Sequence, residues 1–165
     1  GAKYELTDGP IVLAPFIGLK LPSGYDTDDD TALGTGDMDL EFSMLASKSL
    51  YPVPAYAGVE IGYRIRGGSF SNQIPYSFEL GASPHARVFA KASLSGTNTL
   101  LSNGGFTGAM DSMSMQVSEG DFTKWGVNVA TQVTGPFWVD LFYESIFTGK
   151  NVGAGSSIGI GLSWQ

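Results

Sequence analysis

The chain has 165 residues, of which only 15% are charged, 23 are glycine and none is cysteine. Soluble domains carry about 25% charged residues, and a net charge of −7 argues against a nucleic acid as partner, because phosphates need a basic surface. The lack of cysteine excludes disulfides and thiolate metal sites. No run of about 18 apolar residues is present, which excludes a transmembrane helix but not a transmembrane β-barrel, whose strands are half polar.

The sequence divides into a short lead and a long region of alternating residues. Residues 1–10 are predicted to be a periplasmic lead or a partial strand, ending in the turn Asp8-Gly9-Pro10. From residue 11 the chain is extended and apolar to residue 21, with Pro15 interrupting the pattern. Apolar and polar residues then alternate in seven further segments, which are residues 38–47, 55–66, 74–83, 87–95, 124–133, 139–144 and 158–165. Eight strands are therefore predicted between residues 11 and 165.

Segment 55–66 shows the alternation most clearly. Val59, Ile61 and Tyr63 fall on one face, and Glu60 and Arg64 fall on the other, because successive side chains of a strand point to opposite faces. Two environments fit this pattern. One is a soluble sheet with a core side and a wet side, and the other is a membrane barrel with lipid outside and a polar lumen.

The lengths of the predicted connections favour the membrane barrel. After the first turn they alternate between long, at 22–36, 67–73, 96–120 and 148–156, and short, at 49–54, 84–86 and 135–136. Outer-membrane barrels have short periplasmic turns and longer extracellular loops, and their strands need about 9–11 residues to cross the hydrocarbon layer. We therefore predict an all-β fold over residues 11–165, an antiparallel up-and-down transmembrane β-barrel of eight strands. A soluble β-sandwich is the alternative.

Several short stretches resemble one family of Gram-negative outer-membrane barrels. They are Gly18-Leu19-Lys20-Leu21-Pro22-Ser23-Gly24 followed by Leu33-Gly34-Thr35-Gly36, Gly62-Tyr63-Arg64-Ile65-Arg66, Ile74-Pro75-Tyr76 and Thr148-Gly149-Lys150-Asn151. The family comprises transporters of the MetA-pathway-of-phenol-degradation type, and the resemblance runs over most of the chain. Its members usually have extra strands before the position of Gly1. The resemblance therefore implies either the C-terminal part of a larger barrel, of about twelve strands, or a shortened barrel.

Charged residues of the predicted strands fall on the polar face. A charge on the lipid face costs about 2–4 kcal/mol at mid-membrane, so these side chains are expected to point into the lumen. Either they line a pore and filter solutes by charge, or they pair across a lumen too narrow to conduct. Arg64 and Arg66, for example, would then pair with Glu41 and Glu79. The full set is Lys20, Asp39, Glu41, Glu60, Arg64, Arg66, Glu79, Arg87, Lys91, Lys124, Asp140 and Glu144.

These features together predict a passive channel or transporter in the bacterial outer membrane. Its solutes are expected to be small, hydrophobic ones among them, and its surroundings are outer-membrane lipid. The alternative is a non-conducting structural or interaction barrel, with protein partners in an envelope or surface assembly. Neither reading needs a cofactor, an enzymatic activity or a nucleic acid.

An acidic stretch in the first long loop is a candidate calcium site. Asp26, Asp28, Asp29 and Asp30 place several hard oxygen ligands close together, which is the chemistry that Ca²⁺ prefers. The spacing lacks the glycine and late glutamate of an EF-hand. A solvated acidic loop is the other interpretation.

One residue tests the enzymatic reading. His85 is the only histidine and lies in a predicted periplasmic turn beside Pro84. A barrel lipase needs a serine, a histidine and a third orienting group near the outer leaflet. His85 is expected at the opposite side of the membrane, so no catalytic residue is predicted.

Overall fold

The computed structural model describes residues 1–7, 9–22, 37–68, 70–100, 120–150 and 152–164. Within these ranges the protein is all-β, as the alternation predicts, and each strand pairs antiparallel with the next in sequence to form one up-and-down sheet. The strands are β1 (Ala2–Lys3), β2 (Ile11–Lys20), β3 (Asp39–Ser49), β4 (Ala55–Arg66), β5 (Gln73–His85), β6 (Val88–Thr99), β7 (Asp121–Thr134), β8 (Phe137–Lys150) and β9 (Ser156–Trp164). No helix long and apolar enough to cross a membrane occurs among the described residues.

The sheet is open, which differs from the predicted closed barrel. Among the described residues, eight strands lie between residues 11 and 164, and the short strand β1 adds a ninth by pairing with β2. In the part of the chain that the structure describes, β1 and β9 are the edge strands and do not pair with each other. With nine alternating strands, both edge strands run in the same direction. Joining them would require a parallel pair in an otherwise antiparallel sheet.

The connections alternate between two ends of the sheet. The short-turn end carries residues 4–10, 50–54, 86–87 and 135–136, and the long-loop end carries residues 21–38, 67–72, 100–120 and 151–155. Strands β6 and β8 continue to Thr99 and Lys150, several residues beyond their predicted ends. The last connection is consequently no longer than the turn at 50–54. Only 21–38 and 100–120 are long, and most of their residues lie outside the described ranges.

Burial in this sheet is the reverse of that in a soluble protein. On β4, Val59 and Ile61 are 51% and 60% exposed, while their neighbours Glu60 and Arg64 are half-buried. Among the described residues Ala14 is the one buried apolar side chain, and the other buried side chains are the polar Asp39, Ser43, Gln73 and Thr97. A soluble sandwich packs the apolar faces of two sheets together. Here a single sheet shelters its polar face and exposes its apolar one.

Candidate functional site

The polar face of the sheet is the candidate site, and the strand register defines it. Residues that pair across neighbouring strands point to the same side of a sheet. One row of such pairs crosses every long strand, and we call it the reference row. It runs through Val12, Ser47, Gly58, Glu79, Ser93, Gly126, Glu144 and Ser157. The polar face comprises this row and the residues an even number of positions away from it on each strand, as far as the register shifts near the ends of β5, β7 and β8.

Eleven of the twelve charged residues predicted to line a lumen lie on this face. They are Lys20, Asp39, Glu41, Glu60, Arg64, Arg66, Glu79, Lys91, Lys124, Asp140 and Glu144. Arg87 differs, because β6 begins only at Val88 and leaves Arg87 in the exposed turn after β5. The period of two therefore assigned faces well along the strands, but it could not locate the two-residue turn.

The most buried charges lie where β2, β3 and β4 meet at the long-loop end. Lys20 Nζ is 3.4 Å from Asp39 Oδ2, and Arg66 Nε is 3.9 Å from Asp39 Oδ1. The side chains of Asp39 and Arg66 are 8% and 5% exposed. The guanidinium of Arg66 also lies 4.5 Å from the centre of the Phe70 ring, a cation–π geometry. These contacts fix the positions of the charged side chains at the long-loop end of the polar face.

A second group of contacts lies one step along the strands toward the short-turn end and is centred on Arg64. Its Nη2 lies 2.7 Å from Glu41 Oε2, and its Nε donates to the same oxygen at 2.8 Å. Arg64 Nη1 also donates to Gln73 Oε1 at 3.3 Å, and Ser43 Oγ donates to Glu41 Oε1 at 3.2 Å. Charge-assisted bonds of this kind are stronger than neutral ones. Arg64 thus pairs with Glu41 as one reading of the sequence expected, whereas the carboxylate beside Arg66 is that of Asp39, not of Glu79.

Two further ion pairs lie on the polar face, one toward the short-turn end of β6 and one toward the long-loop end of β7. Lys91 Nζ lies 3.6 Å from Glu79 Oε2, and Lys124 Nζ lies 3.0 Å from Glu144 Oε2. Both pairs are more open to solvent than the Arg64 pair. Nearby, Asn128 Nδ2 donates to Asp140 Oδ2 at 3.4 Å. On the described strands β2 to β9, five cations and six carboxylates share the polar face and nearly balance in charge.

Several cavities lie against this face in the described part of the chain, and two of them are the larger ones. The first, of about 680 Å³, is lined by Arg64 and Glu41 together with Phe16 of β2 and Phe122 of β7. Strands β2 and β7 are far apart in the strand order, so the sheet curves to bring both to one cavity. The second, of about 700 Å³, is lined by Lys3, Glu5, Tyr56, Glu60 and Glu79. Space large enough for small solutes thus remains beside the paired charges.

Aromatic rings on the polar face belong to the site and were not predicted as part of it. The ring of Tyr56 lies directly over Gly81, its partner on β5, and the ring of Phe142 lies over Gly159 on β9. A Cβ at either glycine would collide with the ring above it. In the sequence, each of these aromatic residues falls on the polar face of its strand, opposite to the face of the neighbouring apolar residues. That position is the signal by which they could have been found. Which glycine each ring would cover depends on the strand register, which a single sequence does not contain.

The remaining candidate residues contribute little to this site. His85 is exposed at the end of β5, where its Nδ1 accepts a hydrogen bond from the Arg87 backbone N–H at 3.2 Å. The aspartates proposed for calcium, Asp26, Asp28, Asp29 and Asp30, lie outside the described residues. Within the described ranges, no group of three or more His, Cys, Asp or Glu side chains is arranged to hold a metal ion.

Comparisons with family models, curated proteins and solved structures return no match for the chain. The family resemblance consequently rests on the short stretches quoted above. The functional interpretation rests on the two faces of the sheet.

Proposed function

We propose that the protein is a transmembrane β-barrel of the Gram-negative outer membrane, whose polar face lines a passive channel for small solutes. The observation that carries this proposal is the reversed burial of the sheet, with apolar side chains exposed and charged ones sheltered. Burying apolar surface is worth about 25 cal/mol per Å². In water the exposed face would forgo that stabilisation along every strand, whereas a lipid environment supplies it.

The distribution of charge on the apolar face supports the membrane placement. Among the described strand residues, that face carries three charged ones, Lys48, Asp121 and Lys150. Each lies within one residue of a strand end, and Asp121 and Lys150 are opposite each other on β7 and β8. The described residues in the middle of the face therefore carry no charge. This is the pattern that a hydrocarbon layer with polar headgroups on both sides requires.

The channel role is supported by the two larger cavities on the polar face. Together they extend from the Arg64 level to the Glu60 and Glu79 level, so they follow the strands along much of the face. A near balance of cations and carboxylates along this path favours small solutes of either charge or none. Hydrophobic solutes would find the Phe16 and Phe122 rings near the long-loop end.

A second candidate, a non-conducting barrel within an envelope or surface assembly, is favoured by the ion pairs. Contacts such as the 2.7 Å pair between Arg64 and Glu41 link neighbouring strands and occupy the polar face. A barrel of eight strands has an interior just wide enough for its own side chains to fill. In that case the paired charges stabilise the barrel, and its filled interior leaves no path for solutes.

Planar-bilayer recording separates the two candidates. We expect purified protein, folded in detergent and added to a lipid bilayer, to produce discrete ionic current steps. Protein that inserts without any conductance would replace the channel with the structural barrel. Protein that stays monodisperse in buffer without detergent would contradict the membrane placement itself. Heat-denatured protein from the same preparation is the control for detergent leakage.

A further inference from the structure

The two edges of the sheet are unlike. β2 carries Pro15 and is partly covered by β1 (Ala2–Lys3) along its outer edge. β9 (Ser156–Trp164) contains neither proline nor any charged residue, and among the described residues it pairs on one side only. Its Ile158 and Leu162 are 83% and 79% exposed. Free edges are usually protected by lysine, proline or a bulge, so the β9 edge has the character of an edge that another strand covers.

The strand register places β2 and β9 at different heights along the strand direction. The reference row enters at Val12, the second residue of β2, and leaves at Ser157, the second residue of β9. The two strands run in opposite directions. From the row, β2 therefore extends toward the long-loop end and β9 toward the short-turn end. Their midpoints differ by roughly seven residues, or about 23 Å at 3.3 Å per residue.

A displacement of this kind is what closure of a sheet into a barrel requires. The strands of a closed barrel are tilted, so a row that travels once around it returns shifted along the first strand. A shift of about eight residues over eight strands corresponds to a tilt of about 35°, at the lower end of the range for barrels. The same shift lays β9 along β2 over nearly its whole length.

We infer that β9 forms the closing seam of an eight-stranded barrel with β2, and that it takes the β2 edge which β1 occupies in this structure. The inference rests on the proposed membrane barrel and specifies how it closes. A shift of about eight residues puts Ile160 opposite Ile17, Ser163 opposite Ala14, and Ser157 opposite Lys20. Each pair joins like faces: the isoleucines lie on the apolar face and the other two pairs on the polar face.

Strand β1 is a weak occupant of that edge. Its pairing places Ala2 opposite Ile17, the position that Ile160 takes in the seam. Beyond the strand, Tyr4 N donates to the Pro15 carbonyl at 3.2 Å and Leu6 N to the Leu13 carbonyl at 2.8 Å. Pro15 has no N–H to offer in return. An antiparallel seam of eight residue pairs replaces these few bonds with a longer ladder, so the exchange favours β9.

Engineered cysteines test the seam directly, since the chain has no cysteine of its own. The full chain is folded into dimyristoylphosphatidylcholine vesicles as the variant A14C/S163C and oxidised. We expect complete loss of free thiol, with an intramolecular disulfide identified by mass spectrometry of the digested protein. The control V12C/S157C joins residues of the reference row on the same two strands, and it should keep both thiols. The variant K20C/S157C tests the same register at the other end of β9 and replaces the first pair if that variant does not fold.

The outcomes separate the seam from the proposed function, because flotation with the vesicles is measured on every sample. Protein that floats but forms no disulfide in A14C/S163C or K20C/S157C overturns the seam and leaves the membrane barrel standing. Disulfide-linked dimers overturn it in favour of a second copy at the β9 edge. An efficient disulfide in A2C/I17C in floated protein also overturns it, since β1 then keeps the β2 edge. Failure to float contradicts the proposed function itself.

Discussion

At the scale of single residues, the polar face owes its order to specific cross-strand ion pairs. Arg64 is held by Glu41 and Gln73, and its side chain is 32% exposed against 18% for Glu41. Lys91 and Glu79 form a looser pair at 3.6 Å and are both 38% exposed. Solvent screens the second pair more strongly than the first. The sequence predicted the face on which these residues lie, but it could not predict which charges would become partners.

Removing Arg64 should destabilise the folded protein more than removing Lys91. In R64M, Glu41 keeps its charge in a sheltered position without its cation, and we expect the free energy of unfolding to fall by about 1–3 kcal/mol, less than for a fully buried pair. In the control K91M the fall should be below about 1 kcal/mol. Urea unfolding of vesicle-bound protein, followed by tryptophan fluorescence, measures both. Equal losses in the two variants would show that shelter from solvent does not distinguish the pairs.

At the scale of strands, the alternation of apolar and polar residues predicted where every long strand lies. It predicted neither the strand ends nor the register in which neighbouring strands pair. Strand β5 continues through Pro84 to His85, with a register shift between Ala82 and His85. β8 continues to Lys150 through a second irregularity opposite Thr123 and Lys124. Alternation is lost at a bulge, where one extra residue is left unpaired. Strand ends past a bulge therefore look like loops in the sequence.

The stacking of rings on glycines makes a prediction about β9. In G159A the new methyl group would collide with the Phe142 ring, and we expect a loss of about 1–3 kcal/mol in the free energy of unfolding. The control is G155A, because a Cβ at Gly155 meets no atom within 4 Å. Urea unfolding in vesicles again gives the comparison. A G159A protein as stable as G155A would mean that Phe142 does not lie over β9 in the folded protein.

At the scale of the whole molecule, one open up-and-down sheet exposes its apolar face and shelters its polar one. The alternation of the sequence predicted an all-β chain with charges on one face, and the structure agrees. The register, and with it the stagger between Val12 and Ser157, became visible only in the structure. Closure depends on that stagger and on which strand occupies the β2 edge. Both are long-range properties that no local pattern in the sequence encodes.

The central claim, that the apolar face contacts lipid and the polar face does not, is tested most directly by two neighbouring tryptophans. Trp164 lies on the apolar face and is 78% exposed, while Trp138 lies on the polar face opposite Ser163, at nearly the same level of the sheet. The variant W125F/W138F keeps Trp164 as its single tryptophan, and W125F/W164F keeps Trp138. Both proteins are folded into vesicles of lipid brominated along its acyl chains. We expect the bromolipid to quench Trp164 fluorescence strongly and Trp138 fluorescence weakly. Equal quenching of both, or stronger quenching of Trp138, would contradict the account.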